Sequence, residues 1–149
     1  MATEISEDKL KHLEMIQDVI TRLNGNSFQF KGWCIVILSA LLALFANSGN
    51  ELFILVSIFP ALVFWIIDSF YLENERAFRY LYNDVIKDNS EITPFSMGIK
   101  KYKGRKFFFE SFFSSTEAWF YGCCIILLIG LFVLLYYNCI TFEIINKNA

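Results

Sequence analysis

The sequence predicts an all-α integral membrane protein with about three transmembrane helices, an N-terminal amphipathic helix and a cytoplasmic extension of the second span. Three observations carry that expectation. Hydrophobic residues make up 56% and aromatic residues 18% of the 149 residues, with 17 Phe, above the roughly 45–50% apolar content of an ordinary soluble domain. Three apolar runs, at 28–46, 51–72 and 118–140, are separated by polar stretches, and crossing hydrocarbon takes about 20 such residues. Of 13 Lys and Arg, only Lys147 follows the third run and none lies between the first two. The positive-inside rule then puts the N-terminus and the segment between spans two and three in the cytoplasm. The length points to one membrane domain over 1–149.

The first element is a helix over 5–24. Leu13, Ile16, Ile20 and Leu23 follow 3-4-3 spacing, with Leu10 and Val19 beside them and charged residues elsewhere. Such a stripe packs on its own subunit, lies on the membrane, or meets another subunit. Asn24-Gly25-Asn26 reads as its stop, because both residue types accept left-handed C-terminal geometry. The sole His, His12, has no companion at ligand spacing and reads as a surface or interfacial residue. No apolar stretch with a cleavage site occupies the first thirty residues, so no cleavable signal peptide is expected.

Phe28, Phe30 and Trp33 flank Lys31 as an interfacial belt with a snorkelling cation. The first span, 28–46, is short if counted only from Trp33. Asn47-Ser48-Gly49-Asn50 is a tight turn that joins spans one and two as an antiparallel hairpin. The second run continues past 72 without Gly or Pro into an amphipathic pattern as far as Ile86, so one helix leaves the membrane and enters the cytoplasm. Pro60 removes a backbone donor at mid-span, where a kink is expected. Residues 87–94 read as a loop. Lys100, Lys101, Lys103, Arg105 and Lys106 then place five cations in a short stretch with no acid. Residues 107–120 are aromatic and amphipathic, suited to an interfacial helix or a re-entrant segment. Cys34, Cys123, Cys124 and Cys139 lie in apolar runs and read as packing residues.

No catalytic constellation is present. There is no phosphate-binding glycine loop and no triad, and Glu73 and Glu75 lie two apart on a helix, facing different ways. No enzymatic activity, cofactor or metal site is expected. Asp68 is the most informative residue, since an acid at mid-membrane costs about 2.5–3.5 kcal/mol by insertion scales and less near the interface. In one reading it is an interfacial acid capped by Trp65, Tyr71 or an Arg. In the other it faces an axial pore, where Asp68, Ser69, Glu73 and Glu75 line a cation-favouring mouth and Pro60 acts as hinge. The basic cluster has three readings: a topology determinant touching anionic lipid, an anion site in which Tyr102 and Phe107 stack on bases between the cations, or plain solvation.

Leu13-Glu14-Met15-Ile16-Gln17, Asn26-Ser27-Phe28 with Lys31-Gly32-Trp33, and residues 64–72 with Glu75-Arg76, Arg79 and Leu81-Tyr82 together resemble small bacterial membrane effectors of anti-phage defence loci, of the Hailong type. The resemblance covers roughly the first 85 residues. It implies an oligomeric ion channel in the bacterial inner membrane, with a tetramer the favoured assembly. A partner nucleotidyltransferase would make single-stranded DNA oligomers, or another nucleotide, that hold it shut. Asp68 would then sit at the pore mouth and the helix through Arg76 and Arg79 would pass the gate signal. Arg76, Arg79, Lys100, Lys101, Tyr102, Lys103, Arg105 and Lys106 would be candidates for the ligand. The alternative function is a membrane scaffold that recruits a soluble partner without conducting ions.

Overall fold

The structure, a computed structural model, describes the backbone of residues 6–87 and 93–148, with side chains as far as residue 138. The expected helix start at Ile5, the middle of the 87–94 loop and the side chain of Cys139 therefore lie outside the described residues. The described chain is all-α: α1 (Glu7–Ser48), α2 (Leu52–Ile86), a 3-10 turn (Lys100–Tyr102), α3 (Arg105–Phe112) and α4 (Ser115–Asn148). Three helices, α1, α2 and the Ser115–Asn138 part of α4, are long and apolar enough to cross a membrane. Contacts divide the chain into two units. One holds the described residues up to Gln29 with Ile67–Phe113, and the other holds Phe30–Ile66 with the chain from Ser114 onward. Both α1 and α2 contribute to each.

The core of the first unit is built as the periodicity predicts. Leu13, Ile16 and Ile20 of α1 close on Leu81 and Val85 of α2, with Phe78, Tyr82, Met97, Ile99 and Tyr102 packed around them. Full burial of one such aliphatic side chain contributes about 1.5–3 kcal/mol. The stripe on α1 is thus used within its own subunit. His12 is a correction: it is buried, not superficial. One ring nitrogen, Nε2, lies 2.9 Å from the Ser96 carbonyl oxygen, and the ring packs at a tilt on Phe95. Phe95 adopts a left-handed φ of 61°, so this turn is held in an unusual backbone geometry beneath His12.

The helix stop at Asn24-Gly25-Asn26 does not form. The segments expected as a helix at 5–24 and a span at 28–46 are one helix of 42 residues. A Gly inside a helix costs about 1 kcal/mol relative to Ala, a local penalty. The turns on either side are anchored by Ile16 and Ile20 in one unit and by Cys34 and Leu38 in the other. Ending the helix between them would orphan several backbone groups near an apolar segment, which is costlier. Continuity also removes the shortage of length in the first span, since 42 residues at about 1.5 Å each exceed a 30 Å hydrocarbon layer.

The turn between α1 and α2 does form. Gly49 takes a left-handed φ of 67° and its N–H returns to the Phe45 carbonyl at 2.8 Å. Asn50 Oδ1 accepts the Leu52 N–H at 3.0 Å and so caps α2. Pro60 lies inside α2, which continues through it. The core of this second unit joins Cys34 and Leu38 of α1, Ile54 and Ala61 of α2, and Tyr121 and Leu128 of α4. In the most apolar window of each helix only 11%, 28% and 11% of residues, for α1, α2 and α4, are buried within the chain. Surfaces this apolar and this open are stable against lipid or further protein, not water.

The stretch at 107–120 is not one element. It divides at Phe113-Ser114 into the end of α3 and the start of α4. Ser114 Oγ accepts the Glu117 N–H at 3.4 Å, so Ser114-Ser115-Thr116-Glu117 opens α4 in the manner of a capping sequence. The third helix therefore begins before residue 118, where the span was expected.

Gly25 has a helical backbone and open space where a Cβ would stand. Gly25→Ala is expected to stabilise the protein by about 0.5–1 kcal/mol, read as a raised unfolding midpoint in detergent.

Candidate ligand cleft and polar clusters

The basic segment owes its position to acids on α2. Gly104, with φ 153°, donates its N–H to Glu73 Oε1 at 3.2 Å. Two residues earlier, the Tyr102 hydroxyl donates to Asp84 Oδ2. Lys101 Nζ reaches the same oxygen at 3.0 Å and stands 4.6 Å from the centre of the Tyr102 ring. The bonds from Tyr102 and Lys101 hold the Asp84 carboxyl below its ordinary value of 3.8. Bonding to Tyr102 and Asp84 raises Lys101 above 10.5. Burial, followed by the bond to Asp84, raises the Tyr102 phenol above 10.0.

Once the segment is tied down, a cleft of about 310 Å³ opens between it and α2. Glu73, Arg76, Tyr80 and Asn83 line it from α2 at 3-4-3 spacing, joined by Arg79, Tyr102, Phe107, Glu110 and Ser111. Tyr80 stacks on Tyr102 with centroids 5.9 Å apart and meets Phe107 edge-on at 6.3 Å. Arg76 Nη1 donates to the Glu110 carbonyl at 3.1 Å and to Ser111 Oγ at 3.5 Å. Both acceptors are uncharged, so these bonds leave the guanidinium charge undiminished. Arg79 differs, because it bonds Glu75 Oε1 at 2.8 Å. The cleft thus offers an aromatic wall, the Arg76 guanidinium, the side-chain amide of Asn83 and two carboxylates, Glu73, which bonds the Gly104 amide, and Glu110, which stands 3.9 Å from Lys106. The aromatic wall beside Arg76 suits a planar aromatic ligand bearing an anion.

The structure brings together only part of the predicted ligand set. Arg76, Arg79 and Tyr102 line the cleft. Lys101 is engaged at Asp84, and Lys103 lies 5.2 Å from the Phe70 ring centre. Lys100, Arg105 and Lys106 are exposed, and Lys106 stands 3.9 Å from Glu110. None of these five cations lines the cleft. In the predicted pore set, Asp68 and Ser69 are 0% exposed, and Glu73 and Glu75 are buried. The three acids and the hydroxyl are thus covered within the chain. Tyr80 and Asn83 were missed, although their spacing from Arg76 and Arg79 puts them on the same helical face.

A second polar cluster belongs to the other unit. Lys31 Nζ bonds Glu117 Oε1 at 2.8 Å, with side-chain exposures of 18% and 2%. The ammonium also lies 5.9 Å from the Tyr121 ring centre, and Tyr121 stacks on Trp65. Lys31 therefore pairs inward across α1 and α4 instead of snorkelling as a lone cation. Comparison with family models, curated proteins and solved structures finds no match.

Lys31→Met is expected to destabilise the protein by about 3 kcal/mol, because it removes the ammonium paired with a buried carboxylate; Lys31→Met with Glu117→Met should recover most of that. Thermal unfolding of the single and double variants in detergent checks both. Asp84 has a lowered folded value, so its stabilising contribution is present above 3.8 and is lost as pH falls through the lowered one. Tyr102 and Lys101 have raised values, so theirs is present below 10.0 and 10.5 and is lost as pH rises through the raised ones. The protection factors of the amides at 99–104, taken relative to intrinsic exchange at each pH, are expected to be constant between those limits and to fall outside them. In Asp84→Asn the loss of protection on the acid side should disappear.

Proposed function

We propose that this chain is one subunit of an oligomeric transmembrane ion channel that serves as effector of a bacterial anti-phage defence system. A nucleotide or single-stranded DNA ligand holds it closed, and loss of the ligand opens it and depolarises the inner membrane. The N-terminus faces the cytoplasm. The observation that carries the reading is the unbroken course of α2, which bears Pro60 and Asp68 and then the Arg76 and Tyr80 face of the cleft. A change in what the cleft holds acts on the same continuous helix that carries the second apolar run. Oligomer formation is supported by the little burial each candidate span finds within one chain. The covered Asp68 fits a closed conformation, in which the acid is withheld from the conduction path. Arg76 holds the ligand's anion, and the Tyr80–Tyr102 stack receives its base.

Full coverage of Asp68 and Ser69 also favours a second reading, a membrane scaffold that recruits a soluble partner and conducts nothing. One experiment separates the two: ion flux from liposomes containing the purified protein, with and without a single-stranded oligonucleotide. The channel reading expects flux that the oligonucleotide suppresses and that Asp68→Ala alters. Absence of flux in every condition leaves the scaffold. Arg76→Gln is expected to weaken oligonucleotide binding about tenfold or more, in line with the loss of a charged hydrogen bond, measured by titration in detergent.

A further inference from the structure

We infer that α3 is an anionic-lipid docking helix, whose outer face seats two phenylalanines in the headgroup region and two cations on lipid phosphates. This rests neither on the channel reading nor on a ligand in the cleft, one wall of which α3 forms through Phe107, Glu110 and Ser111. Ser111 is fully buried and marks the inward side of α3. At 100° per residue the opposite side is centred on Phe109 and Phe113, which are 52% and 67% exposed. Arg105 and Lys106 flank that pair on the wheel, both exposed, and the Lys106 side chain is 84% accessible. Glu110 lies at the margin of the same face, 3.9 Å from Lys106.

Two outward aromatic rings, one on this helix of eight residues and one on the residue that follows it, are unfavourable in water. Cations on both flanks name the surface that would cover them: apolar below, negatively charged at the level of the Arg and Lys heads. A purely apolar protein partner would leave those charges without a match. The chain supplies the second argument. Only Phe113 and Ser114 separate α3 from α4, whose Ser115–Asn138 part is a candidate span. At no more than about 3.6 Å per residue, so short a connection keeps the end of α3 beside the start of that helix.

The test is amide exchange of the full-length protein in nanodiscs of phosphatidylcholine and of phosphatidylglycerol. Residues 105–113 are expected to exchange about tenfold more slowly in the anionic discs, and high salt should erase the difference. Arg105→Gln with Lys106→Gln should abolish the dependence on lipid charge, while Phe109→Ser with Phe113→Ser should speed exchange in both discs. The salt arm uses the unaltered protein, so a variant that fails to fold does not blunt the result. Equal exchange in both lipids overturns the inference. So does protection of 105–113 by a single-stranded oligonucleotide in detergent without any effect of lipid charge, which would give these cations to nucleic acid.

Discussion

A backbone amide inside hydrocarbon has no water to bond, so each apolar stretch of this chain has to bond its own backbone as a helix. That constraint shapes α1, α2 and α4. It accounts for the persistence of α2 through Pro60, inside the second apolar run. Gly25 lies before the first apolar run, and packing anchors on either side carry α1 through it. Where the helices do end, the ending is chemically specific. Gly49 reverses the chain with a left-handed φ, Asn50 caps α2, and Ser114 opens α4.

Polar groups in such a protein are then conspicuous, and several are tied to particular neighbours. Glu117 meets Lys31 between α1 and α4. In the other unit, acids of α2 hold the basic segment: Glu73 through the Gly104 amide and Asp84 through Tyr102 and Lys101. The result is a division of labour among the cations. Lys101 and Lys103 are structural, Arg76 faces the cleft, and Arg105 and Lys106 face outward. The cluster at 100–106, which reads as one patch along the chain, therefore divides between cations held against α2 and cations that face outward.

The all-α class, the three apolar helices and the unbroken second helix were legible because hydrophobic runs and 3.6-residue periodicity are local properties. The stripe of Leu13, Ile16 and Ile20 was legible for the same reason, but its partner, Leu81 and Val85 of α2, was not. Half of the cleft could be read from spacing alone, since Glu73, Arg76, Tyr80 and Asn83 recur on one helical face. The other half, Tyr102, Phe107 and Ser111, comes from a segment whose approach to α2 depends on bonds between residues 17–35 positions apart. His12 was misjudged for a related reason: its Ser96 partner lies 84 positions away.

By itself the sequence determined which stretches are helical and apolar, because those follow from side-chain transfer energies and helical geometry within a few turns. Only the tertiary structure decided whether a helix stop is obeyed, which cations are already engaged and whether Asp68 is covered. Those outcomes are set by long-range pairing: anchors on both sides of Gly25 outweigh its local cost, and carboxylates far along the chain claim particular lysines.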